Sequence, residues 1–84
     1  METNEILREQ ILEIIENQIQ ENNPKETNLN LKRLIGLGYS NKEAKQLIGQ
    51  CLTIELFEVI KLDKSFNESR YIGNLERLPK EPST

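Results

Sequence analysis

At 84 residues the chain has room for one domain at most, near the lower limit of what folds alone. Its composition, 36% hydrophobic and 30% charged, is too apolar for a disordered tail, and no run approaches the roughly 18 consecutive apolar residues of a membrane span. It has no His, no Trp and a single Cys, which excludes most zinc sites, His-based acid–base catalysis, c-type haem attachment and an internal disulfide framework.

Four segments have the pattern of helices. In the first, about residues 3–22, Leu7, Ile11, Ile14, Ile15 and Ile19 recur at three- and four-residue steps, with Glu5, Glu9, Glu13 and Glu16 on the opposite side. Asn22-Asn23-Pro24 ends it, and an Asn cap followed by Pro starts the second, about residues 24–37. Its expected inward residues are Leu31, Leu34 and Ile35, although Thr27, Asn28 and Asn30 are poor helix formers. Gly38 is the natural left-handed residue after its end.

The third helix, about residues 41–62, opens with a Ser40-Asn41-Lys42-Glu43 capping box, and Tyr39 and Ala44 have the spacing of a hydrophobic staple. Ala44, Leu47, Ile48, Cys51 and Ile54 make one stripe. Leu52, Leu56, Val59 and Ile60 widen it, and Phe57 lies on another side, as expected of a helix at the centre of a bundle. The fourth, about residues 68–78, is capped by Asn67, with Phe66 and Tyr71 at staple spacing and Pro79 as its stop. Its inward stripe is Tyr71, Ile72, Leu75 and Leu78. The short connections predict a small all-α, up-and-down bundle of four unequal helices, with the first and third parallel. Residues 1–79 form the expected single domain and residues 80–84 a flexible tail.

Net charge is −3, the wrong sign for a dedicated nucleic-acid binder. The charge is segregated. Glu2, Glu5, Glu9, Glu13, Glu16 and Glu21 face Arg8 alone in residues 1–22, whereas Lys25, Lys32, Arg33, Lys42 and Lys45 outnumber Glu26 and Glu43 in residues 25–45. Such elements could attract each other within one chain or between copies, but solvated helix faces are the plainer reading. An acidic N-terminus without a basic or apolar leader predicts no signal peptide. A lone thiol on a buried stripe favours the cytoplasm.

An audit for chemistry yields no catalytic set. Cys51 has no His to activate it and falls where core packing is expected. Glu55 and Glu58 lie on or beside the apolar stripe of the third helix; buried and paired they could bind a cation, and otherwise they reach solvent or meet a Lys or Arg. Gln18 falls near the middle of the first helix's apolar stripe and must find a hydrogen-bond partner, for which Gln50, Thr53 or a backbone carbonyl is expected. The Leu34–Ile48 stretch has helix-turn-helix spacing, but its second helix begins Asn-Lys-Glu-Ala-Lys with few base-reading groups. Its Gly-aromatic-Ser turn also resembles that of ubiquitin-associated-type three-helix domains, over some 15 residues.

Four features resemble a family of small, uncharacterised bacterial helical proteins: Glu16-Asn17-Gln18 followed by Pro24; the Gly38-Tyr39-Ser40 turn with Glu43-Ala44; Gln50-Cys51-Leu52 leading to Phe57; and Phe66-Asn67-Glu68-Ser69-Arg70-Tyr71 ending in Leu75, Leu78 and Pro79. The family pattern has two His-x-x-x-His pairs, one on each long helix; with both in the first half of parallel helices, they could converge on one metal in relatives. Arg8, Leu12, Lys42 and Gln46 occupy those positions here, and none is a good ligand. The resemblance thus implies the fold and vestigial ligand positions, with no metal or other cofactor. The expectation is a non-enzymatic, cytoplasmic protein–protein interaction module that works with a protein partner or with a second copy of itself as a homodimer. Its rivals are a metal- or small-ligand-binding bundle and a nucleic-acid-associated module.

Overall fold

The computed structural model describes the backbone of residues 2–83 and the side chains of residues 7–83. Helices α1 (Glu2–Glu21), α2 (Lys25–Gly36), α3 (Asn41–Leu62) and α4 (Glu68–Arg77) build an all-α bundle of four unequal helices, with no strand among the described residues. Every expected boundary lies within one residue of the observed one. The side chains of Glu2 and Glu5, and Thr84 of the tail, lie outside the described residues.

Local chemistry accounts for these boundaries. The α3 capping box is complete: the Glu43 amide donates to Ser40 Oγ at 3.0 Å and the Ser40 amide donates to Glu43 Oε1 at 2.9 Å. At α4 the Arg70 amide donates to Asn67 Oδ1 at 3.0 Å, and Phe66 meets Tyr71 edge to face with centroids 5.5 Å apart. The α2 terminus is a Schellman motif. Gly38 adopts φ 110°, the Tyr39 amide donates to the Leu34 carbonyl and the Gly38 amide to that of Ile35.

The end of α1 repeats that motif. Asn22 takes the left-handed conformation at φ 52°, while the amides of Asn23 and Asn22 donate to the carbonyls of Gln18 and Ile19. Asn22 is thus a helix-ending residue, and the expected Asn cap on α2 is absent. Pro24 holds the capping position in an extended conformation without a side-chain bond. Asn28 compensates from one turn inside α2, its Nδ2 donating to the Ile19 carbonyl at 2.9 Å and to Asn22 Oδ1 at 3.0 Å.

The core comprises Ile15, Leu31, Leu34, Ala44, Ile48, Cys51, Leu52, Tyr71, Leu75 and Leu78. Helices α2 and α3 each pack against all three others, while α1 and α4 flank this central pair. One expected direction is reversed. Gly49 lies against Ile11 and Ile15, and four residues earlier Lys45 pairs with Glu16. Earlier residues of α3 therefore meet later residues of α1, so these two helices run antiparallel.

Two expectations about the core also change. The buried face of α2 is Thr27, Asn30, Leu31 and Leu34, an i, i+3, i+4, i+7 stripe that includes two polar residues and leaves Ile35 42% exposed. The distal part of α3 is not central: Phe57 is 54% and Ile60 65% exposed, and Val59 and Leu62 also face outward. Length explains this. The 22 residues of α3 extend ~33 Å, against ~18 Å for α2 and ~15 Å for α4, so its last turns outrun those two helices.

Candidate functional site

A concavity of about 910 Å³ forms a cleft between α1 and α3. Leu7, Ile11, Leu12 and Ile15 line its α1 side, and Lys42, Lys45, Gln46, Gly49, Gln50 and Thr53 line its α3 side. Ile15 is buried at the base, Leu7 and Ile11 are half-buried, and Leu12 is 48% exposed on the wall. The cleft therefore has an apolar floor and a polar rim.

Gly49 sets the closest approach of the two helices. A Cβ there would lie 3.3 Å from Ile11 Cγ2, tight enough that Ile11 must give by a few tenths of an ångström, and at an ordinary contact distance of 3.7 Å from Ile15 Cδ1. A glycine inside a helix costs about 1 kcal/mol relative to alanine, and that cost was the sequence signal for such an approach. Thr53, one turn further on, donates its hydroxyl to the Gly49 carbonyl at 2.8 Å.

The rim carries three cations, Arg8, Lys42 and Lys45, against one carboxylate, Glu16. Lys45 Nζ lies 2.7 Å from Glu16 Oε1, with the Glu16 side chain half exposed. Such an exposed pair contributes only ~0–1 kcal/mol to folding. Arg8 and Lys42 have no carboxylate partner among the described residues. Notably, Arg8, Leu12, Lys42 and Gln46, the positions singled out in the sequence, all line this one cleft.

The other singled-out residues lie elsewhere. Glu55 is fully buried, and its carboxylate receives three donors: Arg70 Nε at 2.6 Å, Arg70 Nη2 at 3.0 Å and the Asn67 amide at 3.0 Å. Burial alone would raise its pKa, but the Arg70 and Asn67 hydrogen bonds outweigh that and hold it below the usual value. The half-buried Glu58 shares the same guanidinium, at 3.2 Å. Arg70 is in turn held more firmly protonated, chiefly by Glu55. This cluster docks the start of α4 on α3, and its carboxylates are already satisfied by an internal cation.

Gln18 is half-buried, and its partners come from α2 and α4, in place of the expected Gln50 or Thr53. Its Oε1 accepts from Thr27 Oγ1 at 2.7 Å and from Tyr71 Oη at 2.8 Å. The antiparallel register is the reason. With Glu16 beside Lys45, residue 18 lies near the start of α3, far from positions 50–58. Burial raises the Tyr71 pKa to about 12. Sequence reasoning missed Thr27, whose membership in the buried α2 stripe was the available signal.

Asn74 is a further missed residue. Fully buried on α4, it accepts from the Ser83 amide at 3.1 Å and from Arg77 Nη2 at 2.7 Å, and donates to the Ser83 carbonyl at 2.9 Å. Residues 81–83 have no regular secondary structure, yet these bonds tie Ser83 to α4. Cys51 is buried in the core, its thiol directed at the Leu47 carbonyl 3.9 Å away, and desolvation pushes its pKa up to about 11. That environment opposes thiolate formation.

No family model, curated protein or solved structure matches this chain. The functional reading therefore rests on the geometry. No described helix is long and apolar enough to cross a membrane, and no group of three His, Cys, Asp or Glu side chains among the described residues is placed to hold a metal.

Proposed function

We propose that this chain is a non-enzymatic helical protein–protein interaction module whose docking surface is the α1–α3 cleft. One observation carries the reading. Leu12 stands half exposed beside the half-buried Leu7 and Ile11, on a wall backed by two long helices, so apolar surface is presented on a rigid support. The lone thiol, buried and poorly ionised, supports the absence of nucleophilic chemistry and residence in the cytoplasm.

The rival readings draw less support. For a cation site, Glu55 and Glu58 are neutralised by Arg70, which would have to leave. For nucleic acid, Arg33 is committed internally, with Nε donating to Asn30 Oδ1 at 3.0 Å and Nη2 to the Leu75 carbonyl at 3.1 Å. Kinship with the His-x-x-x-His family is also proposed on the sequence features alone: the four corresponding positions line one cleft, but the antiparallel helices set Arg8 and Lys42 toward its opposite ends and do not bring the two pairs to one point.

A photo-crosslinking residue placed at Leu12, and separately at Ile60, tests the module in the cells that make it. Discrete protein adducts are expected from Leu12, and they should disappear when Ile11→Asp is added. Adducts from Ile60 alone, or none from either, refute the cleft as the docking surface.

A further inference from the structure

We infer that the α1–α3 cleft receives an acidic amphipathic helix from a partner protein; the inference rests on the module reading above and specifies its partner. Shape is the first argument. The cleft follows α1 from Leu7 to Glu16, ~14 Å, and α3 from Asn41 to Thr53, ~18 Å. An amphipathic helix of about three turns spans that length, laying its apolar face on the floor as helix-in-groove complexes do.

Charge is the second argument. The whole chain is acidic, at −3, yet this rim holds three cations against one carboxylate. The local excess of cations favours an acidic helix here over the chain as a whole. Arg8 and Lys42, from opposite walls, lie where the flanks of a docked helix would place Glu or Asp. Complementarity of this kind selects the partner and speeds encounter more than it adds affinity.

The chain's own surfaces fit poorly, which argues against a second copy as the occupant. The exposed side of α1 offers Glu9, Gln10, Glu13 and Asn17, with no apolar stripe to fill the floor. The exposed distal end of α3, around Phe57 and Ile60, is apolar, but the exposed charges at and just beyond it are Lys61, Asp63 and Lys64, which offer no acidic flanks to Arg8 and Lys42.

The test uses the purified full chain and two 14-residue helical peptides that share one leucine stripe. One peptide carries Glu on its flanks, the other Lys. Fluorescence anisotropy should give saturable binding of the Glu peptide and at least about tenfold weaker binding of the Lys peptide. Paired Arg8→Glu and Lys42→Glu changes should invert that preference. Leu12→Glu should abolish binding, while the surface change Ile60→Ser leaves it intact; circular dichroism checks that each variant folds. Equal binding of both peptides, preference for the Lys peptide, or no binding overturns the acidic-helix assignment. Sedimentation that reveals a dimer dispersed by Leu12→Glu also overturns it, in favour of a second copy. If the Leu12 crosslinks of the previous section persist in any of these cases, the module stands and only its partner chemistry is wrong. Absent crosslinks remove the module itself.

Discussion

The two sides of the central α2–α3 pair are held by different physics. On the α4 side, buried polar groups are interlocked: Glu55 with Arg70 and the Asn67 amide, Arg33 with the Leu75 carbonyl, Asn74 with Ser83. Each bond is directional and leaves its neighbours satisfied, so that side closes. No buried side-chain nitrogen or oxygen among the described residues lacks a partner. On the α1 side the contact with α3 is mainly apolar, tightened at Gly49 and supplemented by one exposed ion pair. Apolar contact sets proximity without demanding full coverage, and there the cleft stays open. A ten-residue helix such as α4 is too short to be stable by itself and needs polar anchors, whereas a long amphipathic α1 can dock through its stripe and leave part of it free.

The sharpest way to break this contrast is on the closed side. Glu55→Ala leaves Arg70 and the Asn67 amide without their acceptor and should destabilise by about 3 kcal/mol, measured by urea unfolding. A loss below about 1 kcal/mol would mean that the cluster does not hold α4. The same carboxylate sets an acid limit. Its pKa is lowered on folding, so its contribution is present above the ordinary value of 4.5 and is lost as pH falls through the lower folded value. Stability should therefore drop on acidification below about pH 4.5, and the Glu55→Ala variant should lose much of that dependence.

Gln18 joins the two sides, since its one oxygen serves Thr27 and the core phenol of Tyr71. Gln18→Ala strands both hydroxyls and should cost about 2 kcal/mol. Tyr71→Phe in the same background should then cost less than it does alone, a non-additivity that a double-mutant cycle measures. Additive effects would refute the shared acceptor.

On the open side the expected effects are smaller. Gly49→Ala gains about 1 kcal/mol of helix propensity, but its new methyl crowds the stiff β-branched Ile11 at 3.3 Å. The two effects should nearly cancel, leaving stability within about 1 kcal/mol of the parent. A loss of about 2 kcal/mol or more would show that the α1–α3 interface is as inflexible as the α4 side. Leu12→Ser should be nearly silent, within about 0.5 kcal/mol, because the side chain is half exposed. A larger loss by thermal denaturation would make Leu12 part of the core and close the cleft.

The sequence by itself determined the helices and their ends. The Ser40–Glu43 capping box, the Asn67 cap, Gly38 and the apolar period act within a few residues of the chain, so local chemistry suffices to locate the four elements. It also placed Cys51 in the core. The direction of α1 against α3 was not determined there, because an apolar stripe has the same pattern whichever way its partner runs. Tertiary structure decided that direction, and with it the partner of Gln18. It also decided that Thr27 and Asn30 face inward while Ile35 does not: a polar residue can occupy a buried stripe once another helix brings it a hydrogen-bond partner, and that partner is far away in the sequence. That Glu55 meets an Arg was decided for the same reason, by the arrival of Arg70 from α4, 15 residues further along the chain.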